Sequence, residues 1–207
     1  MQKAPVRRPN REGKLTQQCG FYLALALIFL SGPFCVQAVA ANWQTSKTLL
    51  YQHLGHLYWV ADGHGPKIIY DFVDPNSHYS HALFEELAPL LAHHQVTVRQ
   101  IIVGYLTKSS AGKAAAIMTS ANPLHTLQYG ERHYTTARGS AITPVPVNMA
   151  SQRILHQDFQ VLAMVEGNPW MRLAPLLIYK GPRGRVHIFQ SRLSGTKLEE
   201  IITRIQN

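Results

Sequence analysis

Lys67-Ile-Ile-Tyr-Asp-Phe-Val-Asp-Pro-Asn-Ser-His-Tyr-Ser-His81 is the stretch whose reading decides the fold. Ile68, Ile69, Tyr70, Phe72 and Val73 form a short apolar run of β-forming residues, the pattern of a central strand covered on both faces. Asp74-Pro75-Asn76 breaks the run. Asn76 or Ser77 can then cap a helix whose apolar positions Leu83, Phe84, Leu87, Leu90 and Leu91 recur at helical spacing. A helix N-terminus directly after a central strand presents unpaired N–H groups and partial positive charge, a setting suited to a thiolate, an oxyanion or a ligand carbonyl. The candidate site is placed here.

Working outward, Lys3, Arg7, Arg8, Arg11 and Lys14 precede an apolar run at residues 21–30 and small residues at Ala38, Ala40 and Ala41. This is a secretory layout, with residues 1–41 as signal peptide and Ala38-Val39-Ala40 as its cleavage site. A retained anchor is the alternative, since residues 20–41 could nearly span a bilayer; Gly32-Pro33 in the middle favours cleavage. Residues 1–41 hold five of the 20 basic and one of the 11 acidic residues, so the remainder carries +5. The bases look scattered along the chain, which reads as solubility rather than a nucleic-acid surface. The only cysteines, Cys19 and Cys35, lie in the targeting segment. The exported chain is therefore cysteine-free, with neither a structural disulfide nor thiol exchange by its own side chains.

Residues 42–60 show Trp43, Leu49, Leu50, Leu54, Leu57 and Tyr58 at amphipathic spacing, so residues 42–62 read as a linker helix ahead of a domain over 63–207. Residues 62–66 form a turn cluster. Residues 96–106 are β-branched and long enough for a second central strand. Residues 113–121 and 123–133 read as short helices, 135–147 as a loop, and 151–165 as a helix ending at Gly167. Residues 176–179 and 185–190 make a hairpin, and Thr196-Lys-Leu-Glu199 is a capping box opening a last helix.

On these residues the chain resembles the thioredoxin-like domain of DsbC/DsbG-type periplasmic thiol:disulfide interchange proteins, which carries Asp-Pro-x-Cys-x-Tyr-Cys at the strand-to-helix junction. Here the frame reads Asp74-Pro75-Asn76-Ser77-His78-Tyr79-Ser80, with serine at both cysteine positions. The resemblance continues through Glu86-Leu-Ala-Pro89, Val103-Gly104, the Ala-rich stretch from Ala111, and Leu173-Ala174-Pro175. It implies an α/β thioredoxin-like fold: a central mixed β-sheet flanked by helices, carrying a helical insertion over about 108–167. It also implies that Ala174-Pro175 is cis and lies against the site, where the backbone before it pairs with extended substrate. Asp71 stands six residues before Ser77, where thioredoxins place a buried Asp that deprotonates the second cysteine. With Ser80 there it has no thiol to serve, and it reads as a satisfied polar residue or a strand-edge Asp.

For the chemistry, Ser77, His78, Tyr79 and Ser80 form a degenerate redox site. Serine cannot replace the thiolate, because an alkoxide is inaccessible near neutral pH. No catalytic residue and no cofactor is expected, and the chain is read as a non-enzyme. The leading reading is a retained peptide cleft of Asp74, Tyr79, Phe84, Ala174 and Pro175 that binds unfolded or partner polypeptides in the periplasm by β-augmentation, as a chaperone-like protein or an adaptor in an envelope or conjugative assembly. The alternatives are a metal site from His78 and His81 with Asp74 or His64, a serine nucleophile with a histidine base, or a vestigial scaffold. The chain has no room for the family's dimerisation domain, so a monomer is expected. No nucleic acid is expected as partner, and membrane contact only through the signal segment.

Overall fold

The computed structural model describes residues 46–93, 96–166, 174–190 and 193–205. The expectations for the signal peptide, Trp43 and Gly167 concern residues outside these. Helix α1 covers residues 46–54, followed by β1 (Val60–Gly63), β2 (Lys67–Val73), α2 (His78–His93), β3 (Val96–Ile102), α3 (Ser110–Thr119), α4 (Pro123–Arg132), α5 (Met149–Glu166), β4 (Leu176–Lys180), β5 (Val186–Phe189) and α6 (Gly195–Arg204). The five strands form one mixed sheet in the order β1-β3-β2-β4-β5. β2 is central, parallel to β3 (Ile69 opposite Val98) and antiparallel to β4 (Asp71 opposite Leu177).

The apolar run in β2 is explained by layers on both faces. Tyr70 and Phe72 join Ile101, Val103, Leu176, Ile178, Leu54 and Leu162 beneath α1 and α5. Ile69 packs with Val98, Leu177 and Tyr179 against Leu83 and Leu87 of α2 and Leu198, Ile201 and Ile202 of α6. Val73 and Ile102 extend the sheet under Ala114 and Ile117 of α3 and Leu127 of α4. Each fully buried aliphatic or aromatic side chain contributes about 1.5–3 kcal/mol relative to exposure. Among the described residues no helix is long and apolar enough to cross a membrane.

Three local expectations are corrected. The first helix does not run through Val60; it ends at residue 54, ahead of Gly55, and Val60–Gly63 is an edge strand antiparallel to β3. Asp62 and Gly63 are turn formers locally, and the pairing across to β3 overrides them. Gly63 (φ +81) is needed there, since a Cβ would fall 2.6 Å from the Val96 carbonyl. β3 stops at Ile102 rather than continuing to 106, because the chain turns to deliver the Tyr105 and Leu106 N–H groups to Asp74. The last helix is capped two residues early, by Ser194 accepting from the Lys197 N–H. Glu86 of α2 accepts from the Gly195 N–H at 2.8 Å, a tertiary cap that no local motif announces.

Candidate functional site

Asp74 braces the strand-to-helix junction from within. Its buried carboxylate accepts four hydrogen bonds: Oδ1 from the Asn76 N–H (2.9 Å) and the Ser110 hydroxyl (2.8 Å), Oδ2 from the Tyr105 and Leu106 N–H groups (both 2.9 Å). Asn76 extends the brace. Its side-chain amide lies within 3.0 Å of the Thr107, Ser109 and Ser110 hydroxyls, and its Oδ1 accepts from Lys113 Nζ at 2.7 Å. The buried Lys113 ammonium also donates to the carbonyls of Arg138 (2.8 Å) and Ser140 (2.6 Å). Burial pushes its pKa down, and the Asp74 and Glu131 charges act in the opposite direction. Gly139 (φ +70) passes so close that a Cβ would collide with Asn76 Oδ1.

Ser77 caps α2: its Oγ accepts from the Ser80 N–H at 3.1 Å and donates to the Ala174 carbonyl at 2.9 Å. The Ala174–Pro175 peptide is cis. The Ala174 N–H donates to the Tyr105 hydroxyl at 3.0 Å, so both backbone polar groups of Ala174 already have partners inside the domain. Ser77, His78, Tyr79, Tyr105, Leu106, Tyr134 and Ala174 line a cleft of about 280 Å³. Tyr79 is 56 % exposed and Leu106 46 %, giving the cleft an open apolar rim.

Behind this rim lie titratable groups. The His81 ring stacks on Tyr134 (centroids 4.3 Å apart, planes 9° apart), with Nδ1 3.2 Å from Glu131 Oε2 and Nε2 3.5 Å from Glu85 Oε1. Burial first, then the Asp74 and Glu85 charges, raise Glu131 to about 8, with Lys113 opposing. Burial is also the largest reason that His81 is lowered. Both shifts favour a neutral hydrogen bond between the two over an ion pair.

Asp71 is corrected on both counts. It is neither at an edge nor satisfied: it lies in the central strand, buried, with Oδ1 lacking any hydrogen-bond partner. Burial, then the Glu131 charge, raises its pKa well above the carboxylate range. Its register neighbour Gln100 (Oε1) and the buried Ser80 hydroxyl are likewise unpartnered.

These carboxyls set a pH dependence. Glu131, Asp71 and Asp158, the last raised to about 8 by burial, all have folded pKa values above their unfolded ones. The fold holds protons that the unfolded chain releases, so the contribution of Glu131 and Asp158 is full below the unfolded carboxylate pKa of about 4 and is lost as pH rises toward about 8, with Asp71 acting in the same direction. His81 opposes this only below its unfolded pKa of about 6.5. The thermal midpoint is expected to fall between about pH 6.5 and 8.5, and Glu131→Gln to flatten the fall. A midpoint that rises over that interval would contradict the assignment.

The structure brings Ser77, His78, Tyr79 and Ala174 together around the cleft. Asp74 is fully buried beneath it, Ser80 is buried, Pro175 is buried in the loop, and Phe84 is half-buried and absent from the lining. His78 and His81 do not converge on one point with Asp74 or His64: among the described residues no three His, Cys, Asp or Glu side chains are placed to hold a metal. Ser77 has no histidine partner, its hydroxyl being engaged with Ala174. Tyr105, Lys113, Glu131 and Tyr134 were not singled out from the sequence. Only the lone lysine within the Ala-rich helix offered a signal, and that signal is weak.

No protein-family model matches this chain. It is 25% identical over 156 residues to the thiol:disulfide interchange protein DsbG of Pseudomonas aeruginosa, covering 74% of this chain and 58% of that protein. With DsbG of Escherichia coli it is 28% identical over 107 residues, 51% of this chain and 42% of that protein. The chain thus spans about half the length of the curated relatives it matches. Among solved structures, a linker-deletion form of ScsC from Proteus mirabilis superposes with a TM-score of 0.62 at 15% identity, covering 94% of this chain and 97% of that one. A periplasmic thioredoxin-like protein from Salmonella enterica serovar Typhimurium gives 0.54 at 18% identity, over 70% and 88%. The strand order, the cis proline against the helix start and these similarities agree: the chain has a thioredoxin-like fold and is homologous to the DsbG thiol:disulfide interchange proteins.

Proposed function

We propose that this chain is a periplasmic thioredoxin-fold protein that holds polypeptide non-covalently in the cleft beside Ser77, as a monomer, and performs no thiol exchange there. The observation that carries the reading is an open aromatic cleft, walled by Tyr79, Tyr105 and Tyr134, with serine at both positions where exchange would require sulfur. The Ser77 hydroxyl tightens the site by bonding Ala174 instead of reacting. The secretory layout of residues 1–41 and the likeness to a periplasmic protein support the compartment. The same cleft serves a chaperone-like role or an adaptor in an envelope assembly.

Strand pairing at Ala174 requires an incoming peptide to displace the Tyr105 phenol from the Ala174 N–H. An apolar client side chain between Tyr79 and Leu106 is therefore the first contact, and backbone pairing the second.

The test is suppression of aggregation of a cysteine-free unfolded protein. Tyr79→Ala is expected to weaken suppression about tenfold, the loss typical of an aromatic anchor. Ala174→Leu narrows the cleft and also weakens it. Tyr105→Phe releases the Ala174 N–H and strengthens binding by about fivefold. Suppression indifferent to Tyr79 and Ala174 sinks the cleft, and disulfide reshuffling by the exported chain above background sinks the loss of exchange.

A further inference from the structure

Of the bases that look scattered in the sequence, Lys47, Lys67, Lys180, Arg183, Arg185 and Arg204 gather at one end of the domain. β2 ends beside the cleft at Val73 and begins at Lys67; β4 runs antiparallel to it, from Leu176 next to Pro175 to Lys180. The end of the sheet away from the cleft therefore carries the hairpin tip with Arg183 and Arg185. Lys67 Nζ donates to the Ile202 carbonyl at 3.0 Å, which brings the last turn of α6, with Arg204, to the same end. Lys180 Nζ lies 5.4 Å from the Tyr51 ring centroid of α1. Lys47, Arg185 and Arg204 all bear on His187, whose pKa is lowered by burial first and then by these three cations.

Between the hairpin and α6 lies a hollow of about 410 Å³, lined by Arg183, Arg185, Lys197 and Arg204. Tyr179 forms one wall, with its ring stacked near those of His187 (5.1 Å) and Phe189 (6.0 Å). The carboxylate in its lining, Glu200, is already bridged to Lys197 and to Arg204, each at 2.7 Å. A cationic hollow with an aromatic wall is complementary to a phosphate-bearing surface.

The direction of the chain selects which surface. The described domain begins at Ser46, next to Lys47, and residues 31–45 are all that separate it in sequence from the apolar run at 21–30. Whenever that run is in a bilayer, during export or as an anchor, the domain is tethered by its cationic end, through a link that spans at most about 50 Å.

We propose that this end docks on an anionic membrane surface, with lipid phosphates held between residues 181–185 and the last turn of α6, so that the cleft faces away from the bilayer. The docking does not depend on what the cleft binds.

Hydrogen–deuterium exchange of the full chain, recovered from the cell envelope, tests this with vesicles of phosphatidylcholine alone or mixed with phosphatidylglycerol. Phosphatidylglycerol is expected to slow exchange in residues 181–187 and 201–204 by about threefold or more, with residues 77–81 unchanged, and high salt to remove the slowing. Arg183→Glu with Arg185→Glu abolishes it; Arg204→Gln, a milder change at an exposed position, reduces it should the double variant unfold. Equal exchange on both vesicles, slowing that survives the charge changes, or slowing by polyglutamate but not by vesicles overturns the proposal.

Discussion

Asp74→Ala is expected to destabilise the domain by about 4–6 kcal/mol, among the largest effects a single substitution produces. The reason is the number of donors that depend on one carboxylate. Two backbone N–H groups from the segment after β3, one from the Asn76 turn and the Ser110 hydroxyl all lose their acceptor together. Each buried donor left unpaired costs about 1–3 kcal/mol, less whatever water recovers. Asp74→Asn retains an acceptor but introduces an N–H₂ facing other donors, so it rescues only part of the loss. Urea unfolding with an unchanged slope is the measurement; a loss below about 1.5 kcal/mol would mean that the junction does not rest on Asp74.

Lys113→Met is expected to cost about 3–5 kcal/mol, as when one partner of a buried charged network is removed. The methionine fills the space but leaves Asn76 Oδ1 and the Arg138 and Ser140 carbonyls without their donor. It also withdraws the cation that opposes the rise of Glu131, so Glu131 should titrate still higher. Because Lys113 and Asp74 both bear on Asn76, the double substitution should cost less than the two single losses together. Full additivity would show that the two halves of the brace act independently. The cleft should respond too, since residues 134–140 bring Tyr134 to the Asn76 carbonyl and to His81.

The helical core was legible because periodicity reports burial directly. The run from Ile68 to Val73 and the spacing of Leu83, Leu87, Leu198, Ile201 and Ile202 meet in the layers around β2. The edge strand Val60–Gly63 was not legible, since its pairing with β3 depends on residues far along the chain, Val60 opposite Gln100 and Gly63 opposite Thr97, and Asp-Gly locally spells a turn. The early cap of α6 was hidden for the same reason: Glu86 reaches Gly195 from another helix.

By itself the sequence determined that no cysteine follows Cys35, that serine stands at residues 77 and 80, and that a strand runs into a helix N-terminus at Asp74. Composition and local spacing are enough for those statements. Only the tertiary structure decided that Ala174 is held on both sides by Ser77 and Tyr105, that Asp71 is central with its Oδ1 unpartnered, and that Lys47, Lys180, Arg185 and Arg204 share one end of the sheet. Hydrogen bonds and Coulomb forces act through space, and residues far apart in the chain become neighbours only once the sheet has set its register.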